Sequence, residues 1–173
     1  TSALPAEVKQ LFRRTIDTGI QHGTVTVLMS GADTILRGER GYEVTTYRLD
    51  GTYLDGRHPS TVAFTPSLHE DLARRDFTIN AMAYNQRAGL VDDFGGLRDL
   101  FARQIRAVGI AEQRFTEDAL RMLRALRFSA QLSFKIEEET KLAVKELAPN
   151  LRKISKERIQ AELSKLLLSE HPE

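Results

Sequence analysis

Two stretches of this sequence gather side chains that complement a nucleotide. The first is Arg74-Arg75-Asp76-Phe77-Thr78-Ile79-Asn80-Ala81. Arg75 and the N–H groups of a helix start suit phosphate oxygens, while Asp76 and Asn80 can hold sugar hydroxyls. The same residues also fit a plain helix start, with Asp76 as the cap and the two arginines paired with Glu70 and Asp71. Spacing leaves both readings open.

The second stretch is Glu117-Asp118-Ala119-Leu120-Arg121-Met122-Leu123-Arg124-Ala125-Leu126-Arg127. At roughly 100° per helical residue, Asp118, Arg121, Arg124 and Arg127 sweep around the face away from the apolar positions. A solvated face would show the same pattern, with Glu117 and Arg121 as a favourable i, i+4 pair. Asp118 and Arg121 can nevertheless set an acceptor beside a donor fork. Cytosine presents an amino donor next to a ring-nitrogen acceptor, and adenine presents the same order at N6 and N1. Guanine and uracil reverse it. A carboxylate and a guanidinium therefore complement C and A and mismatch G and U.

Secondary structure must hold these groups in place. Gly23 to Met29 and Tyr42 to Arg48 are rich in β-branched and aromatic residues and roughly alternate, as half-buried strands do. Ser30 to Gly41 between them reads as a long, mobile hairpin loop. Val62-Ala63-Phe64 reads as a short extended piece, and Pro5 to Phe12 as an amphipathic helix. Phe77 to Asn85 is expected to be a short helix capped by Asp76, followed by a turn-rich crossing from Gly89 to Gly96. From Glu117, the positions Ala119, Met122, Leu123, Leu126 and Ala130 keep helical spacing. Two more helices are expected, from Glu137 to Leu147 and from a Ser155 cap, the latter with Ile154 and Ile159 as a hydrophobic staple. The expected fold class is α+β, a sheet region over residues 1–96 and a helical region over 97–173.

Composition narrows the function classes. The chain has 173 residues, 25 Lys and Arg against 24 Asp and Glu, and a net charge of +1. Whole-molecule charge will not draw it to nucleic acid, so a nucleotide site must come from locally clustered arginines. It has no cysteine, which excludes disulfides, thiolate metal sites and cysteine nucleophiles and fits a cytoplasmic protein. No apolar run approaches a membrane span, and Thr1-Ser2-Ala3-Leu4-Pro5 does not read as a signal peptide. Both ends read as cuts.

Taken in order, these segments resemble the class II tRNA nucleotidyltransferases (CCA-adding enzymes) and the related bacterial poly(A) polymerases. The resemblance runs through Asp17-Thr18-Gly19, His22-Gly23-Thr24-Val25, Tyr42 to Arg48 and Asp55-Gly56-Arg57. It continues through Asp71 to Ala81, Asp93-Phe94-Gly95-Gly96, Phe115 to Phe128 and Ile154 to Ile159. It implies a polymerase-beta-type head with an antiparallel or mixed sheet, followed by an all-helical neck. It also implies two Mg²⁺ ions as cofactors and stepwise transfer of CMP and AMP from CTP and ATP to a tRNA 3′ end.

By the same resemblance, Arg75, Asp76 and Asn80 fall in the motif that handles the ribose. Asp118 and Arg121 fall on the pair that reads the incoming base, and Arg124 lies near the triphosphate. The Ser30–Gly41 loop matches the family's flexible loop, and Asp93-Phe94-Gly95-Gly96 the head-to-neck hinge. Glu43 is carried over as an accessory carboxylate, with a surface-strand glutamate as the equal alternative. The family's glycine-pair segment and its Asp-x-Asp or Asp-x-Glu metal pair do not occur in this sequence. The chain by itself is therefore expected to recognise nucleotides and not to catalyse. Rival readings are a poly(A) polymerase, a non-catalytic nucleotide- or RNA-binding module, and a helical interaction domain. Ala119 follows the Glu-Asp pair where poly(A) relatives tend to carry proline, which favours the tRNA enzyme.

Overall fold

The computed structural model describes residues 1–29, 40–51 and 62–172. It divides into two compact units, Thr1–Gly51 with Thr61–Asp71, and Thr52–Ser60 with Leu72–Glu173. Most of the Ser30–Gly41 loop and the Asp55-Gly56-Arg57 motif lie outside the described residues.

The first unit is built on a three-stranded antiparallel sheet in the order β1 (Thr15–Gly19), β2 (Thr24–Met29), β3 (Arg40–Thr45). Alternation in β2 turns Val25 and Val27 inward, where they meet Val8 of helix α1 (Pro5–Leu11). Strand β1 was not anticipated, because Asp17, Thr18 and Gly19 carry little strand signal; its Thr18 hydroxyl pairs with that of Thr26 at 2.8 Å. The single strand expected over Tyr42–Arg48 is broken at Thr46. That residue is buried, its hydroxyl donating to the Ala3 carbonyl at 2.8 Å and its N–H to Gly23 at 2.9 Å. The chain resumes as β4 (Arg48–Asp50), paired antiparallel with β5 (Val62–Phe64). Helix α2 (Leu68–Ala73) spans the boundary between the units.

The second unit departs from the helix expected over Phe77–Asn85. Phe77 is extended and bridges Ala107, with the Thr78 N–H donating to Arg106 and the Val108 N–H donating to Asp76, both at 3.0 Å. Pairing with a distant segment overrides the local helical preference. One 3-10 turn (Thr78–Asn80) follows, then a hairpin of β6 (Ala83–Asn85) and β7 (Gly89–Val91). The Asn85 side chain closes this hairpin by accepting the N–H groups of Arg87 and Ala88.

Helix α3 (Gly96–Phe101) begins after Gly95 in the left-handed region at φ 75°. Its cap is the Asp92 carboxylate, which accepts the N–H of Gly96 at 2.6 Å and of Leu97 at 2.9 Å. Gly96 is buried against Met82 and the backbone of Thr78; an added Cβ would run into the Thr78 carbonyl oxygen and sit 2.8–2.9 Å from Met82. Because a carbonyl cannot rotate away, Gly96→Ala is expected to destabilise by at least about 1–3 kcal/mol. A thermal-unfolding midpoint within a degree of wild type would refute this.

The remaining α-helices and strands are β8 (Gln104–Ile105), α4 (Ala111–Glu117), α5 (Leu120–Leu132), β9 (Lys135–Ile136, parallel to β8), α6 (Glu138–Leu147) and α7 (Lys156–Leu167). They enclose a core of Phe77, Ile105, Phe115, Leu120, Met122, Leu123, Ala143 and Ile154, among others. Helix α6 is capped by Glu137, whose carboxylate accepts the Thr140 N–H and hydroxyl. Burial would raise the Glu137 carboxyl, but these bonds, the Glu139 N–H and the Arg106 charge outweigh it and hold it below its ordinary value. Its contribution is therefore present above the ordinary carboxylate range and lost as pH falls through the lowered value.

The helix expected to start at Glu117 begins three residues later, after a separate short helix. Helix α4 ends at Glu117, Asp118 is extended at φ −143° and ψ 103°, and α5 begins at Leu120. The stripe assigned to it also needs correction. Arg121 and Arg127, expected on the face away from the apolar positions, are buried, while Leu126 is 40% exposed. Fold class is α+β, with small antiparallel sheets followed by a largely helical region. Among the described residues, no helix is long and apolar enough to cross a membrane.

Candidate functional site

Asp76 is fixed before any ligand arrives. Its carbonyl is tied to Val108, and one carboxylate oxygen accepts the Phe77 N–H at 2.9 Å and the Asn80 amide at 3.3 Å. The other oxygen accepts from Arg124 of α5, Nε at 2.8 Å and Nη2 at 2.7 Å. Arg75 is exposed and donates to the Asn80 carbonyl at 3.2 Å. Arg75, Asp76, Asn80 and Arg124 are thus brought together, although not around the helix start that sequence suggested.

The second stretch folds onto the first. Arg121 donates to Glu117 at 2.7 Å, to the Arg114 carbonyl at 3.2 Å and to the Arg74 carbonyl at 3.0 Å. Arg114 in turn pairs with Glu117 and donates to the Ala73 carbonyl. Asp118 sits at the break between α4 and α5 because its carboxylate, accepting the Leu120 N–H at 3.0 Å, starts the second helix. Its other partner is Arg158 of α7, which reaches both carboxylate oxygens, at 3.3 and 2.7 Å.

Arg124 also faces Glu162 at 3.9 Å and lies 5.3 Å from the Phe128 ring centroid. Phe128 meets Phe77 edge-on at 5.8 Å. Sequence reasoning did not assign roles to Arg114, Arg158 or Glu162. Arg158 falls within the Ile154–Ile159 string, but nothing local in the sequence points it at Asp118.

Glu43 lies in the first unit, exposed on β3 opposite Thr26. Among the described residues, no group of three or more His, Cys, Asp or Glu side chains is placed to hold a metal. The cluster offers guanidinium donors and carboxylate acceptors, which is the chemistry of recognition.

The model of the poly A polymerase head domain matches residues 1–106. The chain belongs to that family. A second model, described as a probable RNA- and SrmB-binding site of polymerase A, matches residues 133–173 of this poly A polymerase family member. The CCA-adding enzyme of Leuconostoc mesenteroides subsp. mesenteroides is 58% identical over 168 residues, 97% of this chain and 40% of its own length. The Bacillus stearothermophilus CCA-adding enzyme, solved in complex with CTP, is 45% identical with a TM-score of 0.82, covering 96% of this chain and 38% of that one. The Thermotoga maritima CCA-adding enzyme, solved with tRNA-CCA, is 28% identical with a TM-score of 0.72, covering 96% of this chain and 36% of that one. The chain thus spans about two fifths of the length of the curated relatives it matches.

Proposed function

We propose that this chain is the nucleotide-reading part of an enzyme that transfers CMP and AMP from CTP and ATP to the 3′ end of tRNA. The observation that carries the proposal is the meeting of two stretches: Arg121 seats on the Arg74 carbonyl while Arg124 holds Asp76. Asp118 and Arg121 then supply the acceptor and donor for C and A, and Arg75, Asp76 and Asn80 the ribose contacts. Arg124 is the candidate triphosphate contact; a phosphate oxygen would compete with Asp76 for its guanidinium. The relatives' names and their complexes with CTP, ATP and tRNA-CCA support this reading.

The proposal includes two Mg²⁺ ions, which in the complete enzyme would be held by a carboxylate pair that does not occur in this sequence and would supply charge stabilisation for phosphoryl transfer. Glu43 is proposed as an accessory carboxylate for that centre, and the cytoplasm as its compartment. The head is proposed to occupy residues 1–96 and the neck 97–173.

The test is incorporation of CTP and ATP, offered separately to the complete protein with tRNAs ending before C, CC and A. Two C additions followed by one A are expected. Long A tracts would replace the reading with a poly(A) polymerase, and no incorporation with a binding module. In the same assay Asp76→Ala is expected to weaken rejection of dNTPs by roughly ten- to 150-fold, the worth of one hydrogen bond to a charged group. Unaltered dNTP rejection would remove Asp76 from the ribose site.

A further inference from the structure

Asp118 stands where the backbone leaves one helix and enters another, so no regular helical rotamer holds its side chain. The Leu120 N–H holds one oxygen and leaves the carboxylate free to swing about that contact. Arg158 closes the second oxygen. We infer that Arg158 is the positioning residue that fixes the Asp118 carboxylate for base discrimination, an inference that rests on Asp118 reading the base.

The placement of Arg158 is itself over-determined. Ile154 is buried and Ile159 packs on the same core, anchoring the first turn of α7. Helices α5 and α7 then run in the same direction with matched contacts along their length. Asp118 meets Arg158, Arg127 meets Glu162 at 2.5 Å, and Gln131 donates to the Lys165 carbonyl at 3.5 Å. Arg158 and Glu162 lie one turn apart on α7 with opposite charge. A slip of one turn would set Arg158 against Arg127, so electrostatics fixes the register as well as packing.

Counting acceptors shows what the fork does. A carboxylate offers about four lone-pair directions. One oxygen serves the Leu120 N–H and Arg158 Nη1, and the other serves Arg158 Nη2. A single direction is left on the second oxygen, enough for one N–H of an exocyclic amino group. The carboxylate plane is locked while that direction stays open. Without Arg158 the group can turn and accept from other edges, including the ring N–H of guanine or uracil. Selection for C and A then falls even though the carboxylate is still present.

The experiment is single-nucleotide incorporation by the complete protein, with CTP, ATP, UTP and GTP each offered to tRNA ending before C and before A. Arg158→Ala is expected to lose about ten- to a hundredfold of discrimination against UTP and GTP, the range one bidentate contact spans. The loss is expected as a higher KM for CTP and ATP with the tRNA KM unchanged. Arg158→Lys should recover part of it, because an ammonium restores charge without the fork. It also decides the matter should the alanine variant not fold. Gln131→Ala, which loosens α5 against α7 elsewhere, should keep full discrimination; an equal loss there would reduce Arg158 to a helix tie. Intact discrimination in folded Arg158→Ala or Arg158→Lys, beside a loss in Asp118→Ala, overturns the positioning role alone. Intact discrimination in Asp118→Ala overturns the base-reading role and this inference with it.

Discussion

Asp118→Asn in the complete protein is expected to lower the preference for CTP and ATP over UTP and GTP by about ten- to a hundredfold per position, the 1–3 kcal/mol that one bidentate contact supplies. The substitution keeps shape and volume and turns one acceptor into a donor. The amide can no longer accept from both Arg158 and an incoming amino group. Its NH₂ group can instead face the carbonyl of uracil or guanine, so the change weakens the correct bases and improves the wrong ones.

Arg121→Ala is expected to produce a comparable loss with a different side effect. Arg121 spans Glu117 and the carbonyls of Arg114 and Arg74, so its removal takes three partly buried hydrogen bonds with it. About 1–3 kcal/mol of stability should go with it. Selection and stability are separable, because Asp118→Asn alters the first while largely sparing the second. Steady-state incorporation with all four nucleotides, beside thermal unfolding, reads both. Unchanged discrimination in both variants would remove the pair from the base site.

The reasons some of this was legible in the sequence are local. Alternating Val25 and Val27 specify β2, and the spacing of apolar residues specifies α1, α6 and α7. What was not legible depends on partners far along the chain. Phe77 to Asn85 has helical composition, yet Asp76 and Thr78 pair with Val108 and Arg106, and that pairing holds Phe77 extended. Periodicity also assumes that a charged side chain faces water. Arg121 and Arg127 violate this because each carries its own carboxylate inward, Glu117 one turn back and Glu162 from another helix. The candidate residues could be chosen by type and by resemblance. Their restraint by Arg158, Glu162 and the Ala73 and Arg74 carbonyls could not, since no spacing rule links residues 40 apart, as Asp118 and Arg158 are.

The buried pair between α5 and α7 leads to the second large effect. Arg127 and Glu162 side chains are 9% and 7% exposed, and they meet at 2.5 Å. Arg127 also bonds Gln131 at 2.7 Å and lies 4.1 Å from the Phe128 ring centroid. Glu162→Ala removes the charge that balances Arg127 and leaves a guanidinium in a poorly solvated place. Breaking one side of such a pair costs about 3–5 kcal/mol, whereas replacing both sides with apolar groups of similar size is often neutral. Glu162→Ala should therefore be severe, and the double substitution Glu162→Met with Arg127→Leu much milder. Hydrogen exchange of the α5 and α7 amides in the complete protein reads the loss where it occurs. A single-variant loss below about 1 kcal/mol, the scale of an exposed pair, would mean that water reaches the pair. Equal losses in the single and double variants would mean that packing, not charge balance, sets the contact. The choice matters for the site because Arg124, which holds Asp76, also faces Glu162. If charge balance governs, removing Glu162 frees Arg124 to pair more tightly with Asp76, so a bound triphosphate would compete for it less well. The single variant would then lose nucleotide affinity beyond what its stability explains, and the paired apolar replacement would lose it too.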